Sequence, residues 1–91
     1  MRPLNQQTVL ITGASSGIGE AAVRRLVRAG ANVALTGRRA ERLNALCAEI
    51  DPAGKQTLAL VGDVTDELVR KHWVEATLQR FGRIDGPRKR P

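Results

Sequence analysis

The sequence predicts an α/β fold: a parallel sheet of strand order 3-2-1 flanked by helices. Three observations carry this. Short apolar runs alternate with longer stretches of helical period, giving β-α-β-α-β-α. The connections between them are short. The strand runs are apolar throughout instead of alternating, as expected where both faces of a sheet are covered. Right-handed crossovers then set strand two beside strand one and strand three beside strand two. The first two helices fall on one face, and the third can cross to the other.

The elements follow in order. Thr8-Val9-Leu10-Ile11-Thr12 is an apolar, β-branched strand bounded by Gly13. Gly13 to Gly19 is a Gly/Ser loop. Ile18 to Ala29 reads as a helix, with Ile18, Ala22, Leu26 and Ala29 on one apolar face and Gly30 as its C-terminal cap. Asn32 to Thr36 is the second strand. Ala40 to Ile50 is the second helix, with Leu43, Leu46, Cys47 and Ile50 on its core face, and Asp51-Pro52-Ala53-Gly54 breaks it. Thr57 to Val61 is the third strand. Asp66 to Phe81 is the third helix, capped by Thr65 and ended by Gly82.

The chain has 91 residues, enough for one small domain. It is 42 % apolar and 26 % charged, which fits a folded globular chain and excludes general disorder. Its single cysteine excludes an internal disulfide and any multi-cysteine metal site. No apolar run is long enough for a membrane span or a signal-peptide core, so the expected location is the cytoplasm. The net charge is +6, a balance that can suggest nucleic acid. Arg88, Lys89 and Arg90 in the last six residues supply half of it, however, so the excess reads as a solvated tail. Cys47 and Trp73 read as core residues and His72 as a surface side chain.

Three motifs carry chemistry. The first is Thr12-Gly13-Ala14-Ser15-Ser16-Gly17-Ile18-Gly19, set between a strand and a helix N-terminus. Unpaired backbone N–H groups and the helix dipole favour an anion there, and glycines let the backbone approach a phosphate closely. Ser15 and Ser16 add hydroxyl donors. No Gly-Lys-Ser/Thr follows, so this is a pyrophosphate cradle and not a P-loop. The second motif is Arg38-Arg39 after strand two. A dinucleotide fold selects its ribose at this point, where an acid would bind the 2′-hydroxyl of NAD. A guanidinium pair suits a 2′-phosphate instead, so the expected cofactor is NADP before NAD, with Arg38 as the direct contact. The third is Gly62-Asp63-Val64-Thr65 after strand three. Asp63 can accept from an adenine amino group, and Val64 can pack on the ring. Alone, this motif reads equally well as a helix start.

Together the motifs resemble the short-chain dehydrogenase/reductase family. Thr12 to Gly19 is similar to its Thr-Gly-x-x-x-Gly-x-Gly cofactor motif, and Thr36-Gly37-Arg38-Arg39 resembles its NADP-preferring members. Asp63-Val64 matches its adenine-contacting position. Phe81-Gly82-Arg83-Ile84-Asp85 resembles the lead-in to its fourth strand. The resemblance implies a partial Rossmann fold over residues 1–85, binding NADP(H) through Gly13, Ser15, Ser16, Gly17, Ile18, Gly19, Arg38, Arg39, Asp63 and Val64. Residues 86–91 are expected to form a disordered basic tail.

The resemblance stops at Asp85. The family continues with Asn-Asn-Ala-Gly, a catalytic Ser and a Tyr-x-x-x-Lys pair. None of these occurs here, and the 91 residues hold no Tyr. The chain alone is therefore expected to be catalytically inactive, with no catalytic or metal-ligating residue assigned. Its end reads as a frameshift, an early stop or the end of a cloned fragment. Strand 8–12 is expected to expose a bare edge and to self-associate through it. Three alternatives stay open: a nucleotide-binding module that completes itself on a partner, a non-functional fragment, and a basic nucleic-acid-binding peptide.

Overall fold

The computed structural model describes residues 7–14 and 17–87. Ser15, Ser16 and the tail residues Arg88, Lys89, Arg90 and Pro91 lie outside the described residues. The elements run β1 (Thr8–Ile11), α1 (Gly17–Arg28), β2 (Asn32–Gly37), α2 (Ala40–Ile50), β3 (Thr57–Val61), α3 (Glu67–Phe81) and β4 (Gly86–Pro87). Up to Phe81, every bound agrees with the sequence expectation to within one residue. The expected strand order holds and is extended at one edge, as β3-β2-β1-β4, with every pairing parallel.

The short β4 corrects the expectation of a bare edge on β1. Gly86 and Pro87 pair with Val9 and Leu10. Asp85 fixes them there: its backbone N–H donates to the Thr8 carbonyl (2.8 Å), and its carboxylate accepts the Thr8 N–H (2.6 Å). Arg83 in turn holds the Asp85 carboxylate at 2.7 Å. Proline offers no N–H, which limits what so short a strand can add to the ladder.

Two layers cover the sheet. On one face Val9, Ile11, Val33 and Leu35 pack with Val23 and Val27 of α1 and with Leu43 and Leu46 of α2. Cys47 and Ile50 pack at the margin of this cluster, as the α2 stripe predicts. On the other face α3 lies against β2 and β3, with Trp73 and Thr77 buried. His72 is exposed.

The apolar face of α1 differs from the one read in the sequence. Val23 and Val27 are its buried residues, whereas Ile18 is 88 % exposed and Ala29 is also exposed. Of the stripe read in the sequence, Leu26 does pack against the core, partly buried beside Val23 and Val27. The cap of α3 also differs. Asp66, not Thr65, accepts the N–H groups of Leu68 and Val69. Thr65 is already committed to Asp63, to which its backbone N–H and hydroxyl both donate.

The approach to β3 is organised by Asp51, a buried carboxylate at the end of α2. It accepts the backbone N–H groups of Lys55, Gln56 and Thr57 and the Thr57 hydroxyl, at 2.8–3.2 Å. Gln56 then donates to the Val27 and Ala31 carbonyls, tying this turn to the end of α1. Burial opposes ionisation of Asp51, but these donors outweigh it and hold the carboxyl below the usual range. Its contribution to stability is therefore complete above about pH 4, the ordinary aspartate value, and is lost as pH falls through the lower folded value. Asp51→Asn is expected to cost about 1–3 kcal/mol at neutral pH. Urea midpoints at pH 6 and pH 2.5 should differ less in this variant than in the parent, and an equal difference would refute the role.

Candidate functional site

The C-terminal ends of β1, β2 and β3 open on a common crevice. At the first, Gly13 turns the chain with φ +68°, a conformation that L side chains rarely adopt. Ala14 is buried, and its N–H donates to the Thr36 carbonyl at 2.9 Å. The buried Thr36 hydroxyl donates back to the Ile11 carbonyl at 3.0 Å. The loop after β1 is thereby locked to the end of β2. Helix α1 then comes close to this loop at Gly19. A Cβ there would run into the Gly13 carbonyl oxygen and lie 3.0 Å from Ala14 Cα. Gly17 meets no such limit, since a Cβ there would touch nothing within 4 Å among the described residues.

At the second strand end, Gly37 is joined to β3 by the Gly62 N–H, which donates to its carbonyl at 2.9 Å. Arg38 and Arg39 follow, both exposed. Arg39 is the N-cap residue of α2 but makes no side-chain capping bond. A cation at a helix N-terminus is mildly unfavourable, so these residues are poor choices for the helix alone.

At the third strand end, Asp63 is held by Thr65, whose N–H and hydroxyl donate to Oδ1 at 2.9 and 2.8 Å. Asp63 Oδ2 faces Arg38 at 3.4 Å. The bonds from Thr65, with Arg38 adding to them, hold the Asp63 carboxyl below its usual range. Arg70 donates to the Val64 carbonyl at 2.6 Å. Under Gly62 lies Trp73: a Cβ at Gly62 would come within 2.6 Å of Val69 Cγ1 and 3.3 Å of Trp73 Cζ2.

These three ends enclose a cavity of about 470 Å³, within the range of small-molecule sites. Gly13 forms its wall toward α1, and Gly37, Arg38 and Arg39 form its second side. Gly62, Val64 and the indole of Trp73 form the third. Of the residues expected at the site, Gly13, Arg38, Arg39 and Val64 line this cavity, and Asp63 joins it through its ion pair with Arg38. Gly19 supports the loop from behind. Ile18 instead lines a neighbouring groove with Ile11, Ala22 and Leu26.

Two lining residues were not foreseen. Arg42 adds a third cation. It lies one turn beyond Arg38 on the exposed side of α2, a spacing that could have signalled it. Trp73 was read as core, and it is 2 % exposed. It is both core and floor, because Gly62 above it has no side chain.

The donor set fits a dinucleotide. A glycine turn at a helix N-terminus suits a pyrophosphate, a cation cluster suits an anion, and an apolar wall suits a purine. A parallel sheet with ligand groups gathered at its carboxyl ends defines a nucleotide-binding α/β protein.

Comparison with known proteins narrows this class. Residues 7–86 match the family model described as short chain dehydrogenase. The A-factor type γ-butyrolactone 1′-reductase of Streptomyces virginiae is 45 % identical over 82 residues, covering 90 % of this chain and 32 % of that protein. Serine 3-dehydrogenase of Agrobacterium fabrum is 46 % identical over 78 residues, covering 86 % and 30 %. Among solved structures, a short chain dehydrogenase of Bacillus anthracis superposes with a TM-score of 0.87 at 34 % identity, covering 92 % of this chain and 35 % of that one. The 3-ketoacyl-(acyl-carrier-protein) reductase of Brucella melitensis, complexed with NADH, gives 0.84 at 34 % identity, covering 92 % and 34 %. The chain belongs to the short-chain dehydrogenase family, whose members use NAD(P). It spans about a third of the length of these relatives. Among the described residues, no helix is long and apolar enough to cross a membrane.

The two helical glycines provide a direct check on the cradle. Gly19→Ala is expected to displace the Gly13–Ala14 loop and to lower stability by about 1–3 kcal/mol in chemical denaturation. Gly17→Ala is expected to stay within about 0.5 kcal/mol of the parent. Equal effects at the two positions would show that the close approach at Gly19 is not limiting.

Proposed function

We propose that this chain forms the NADP(H)-binding part of a short-chain dehydrogenase/reductase-type oxidoreductase. The observation that carries the reading is the single cavity joining the Gly13 loop to Arg38, Arg39 and Arg42. The loop and the α1 N-terminus, with Ser15, Ser16 and Gly17, receive the pyrophosphate. Arg38 and Arg39 receive the ribose 2′-phosphate by charge-assisted, bidentate hydrogen bonds. Val64 and Trp73 pack against the adenine, and Asp63 lies beside its amino group. Gly37 leaves the ribose position without a side chain, and the two residues after it are Arg38 and Arg39, with no carboxylate at the end of β2 to bind a 2′-hydroxyl.

A dinucleotide bound here supplies or accepts the hydride in the family's reaction. These 91 residues do the gripping and orienting. The family's proton donor is a Tyr, and the chain contains none, so we assign it no turnover by itself. Its role is to fix the adenosine end, so that the far end of the cofactor is presented beyond β1 and β4.

Calorimetric titration tests the reading. NADP is expected to bind at least tenfold more tightly than NAD. Arg38→Ala should weaken NADP about tenfold while leaving NAD within a factor of two. Equal affinities in the parent chain would refute the NADP assignment. Purified chain with NADPH and a panel of aldehydes and ketones is expected to show no oxidation of NADPH above the protein-free rate. Turnover abolished by Arg38→Ala would overturn the assignment of no activity.

A further inference from the structure

Arg38 already has an anionic partner in this structure. Its guanidinium lies 3.4 Å from Asp63 Oδ2. Asp63 is not free to leave, because Oδ1 holds both the N–H and the hydroxyl of Thr65. The anchored carboxylate thus presents its second oxygen to a solvent-exposed partner: the Arg38 side chain is 74 % exposed, against 46 % for Asp63. A 2′-phosphate at the end of β2 must compete with this carboxylate for the guanidinium, and it feels the negative charge of Asp63 as well. An unphosphorylated ribose does neither.

From this pair, and resting on the NADP reading above, we infer that Asp63 sets the ribose selectivity of the site. It competes with the 2′-phosphate for Arg38 and so holds down the preference for phosphorylated cofactor. This role is separate from any contact with the adenine. An adenine contact acts alike on both cofactors, whereas the competition acts on one alone. The bridge across the cavity mouth also couples the ends of β2 and β3, so a phosphate that takes Arg38 releases Asp63 Oδ2 toward the base.

The test compares adenosine 2′,5′-bisphosphate with adenosine 5′-monophosphate, read by the fluorescence of Trp73, which is the one Trp of the chain and lines the cavity. Asn at position 63 keeps an acceptor for Thr65 and removes the charge. Asp63→Asn is expected to raise the affinity ratio of bisphosphate to monophosphate about 2- to 10-fold, in the range of a lost exposed ion pair plus a lost like-charge repulsion. A smaller rise is expected when Arg38→Ala is already present, because only the like-charge repulsion is then relieved. An unchanged or lower ratio overturns the inference, as does an equal rise in the Arg38→Ala background. Equal weakening of both ligands reports an adenine contact only and likewise overturns it. If the parent shows no preference for the bisphosphate, the NADP reading fails, and a preference that emerges in Asp63→Asn still supports the competition. Failure of both ligands to bind the parent refutes both. Should Asp63→Asn not fold by circular dichroism, Asp63→Ser gives the same comparison, since its hydroxyl also accepts from Thr65.

Discussion

Parallel pairing of β2 with both β1 and β3 brings three strand ends to one level, and the rest of the site depends on that alignment. Ile11 lies opposite Leu35, and Gly37 lies opposite Val61. The next residue or two of each strand therefore enter the same crevice. Thr36 enforces the level from inside, with its hydroxyl on the Ile11 carbonyl and its own carbonyl on the Ala14 N–H. A slip of one residue would reverse the faces of Val33 and Leu35 and place Thr36 in the apolar layer. The core and the cavity are in this sense one constraint, satisfied on one side by burial and on the other by strand ends that meet at one level.

The site uses absence of side chains as much as their presence. Gly13 and Gly19 bring α1 against the loop, and Gly62 uncovers Trp73. The cations lining the opening gather at one edge, with Arg38 and Arg39 just before α2 and Arg42 in its first turn. The helix tolerates this because its fold is held elsewhere. Leu43 and Leu46 bury its inner face, and Arg24 bridges Glu49 at 2.8 Å and Glu20 at 2.9 Å between the two helices on that side of the sheet. Local helix preference is thus overridden by packing, and the three arginines stay on the cavity wall.

Much of this was legible in the sequence. Apolar runs marked β1, β2 and β3, and the Gly loop and Arg38-Arg39 marked two sides of the cavity. Legibility failed where two residues competed for one role or where the partner was remote. Two apolar stripes of similar period ran along α1, and the buried one is Val23 and Val27, with only Leu26 of the other packed beside it. Thr65 and Asp66 can both cap a helix, and the bond from Thr65 to Asp63 decided between them. Nothing in Gly86-Pro87 suggests a strand, because its pairing depends on Asp85 reaching Thr8. The bond between Arg38 and Asp63 was invisible for the same reason: the two groups stand 25 positions apart in the chain, and the sheet sets them side by side.

The contact between Asp85 and Thr8 spans 77 residues, and this gives β1 a history as well as a position. During synthesis β2 follows β1 closely, so that pairing is available early. The other side of β1 waits for its partner. At about 5–20 residues per second, the interval is roughly 4 to 15 s. For that time a central strand of the finished sheet is an edge strand of the nascent one, and its backbone N–H and C=O groups are open to whatever else lies near the ribosome. The two short pairs at Val9 and Leu10 therefore do more than extend a ladder: they end a period of vulnerability that the rest of the fold cannot shorten.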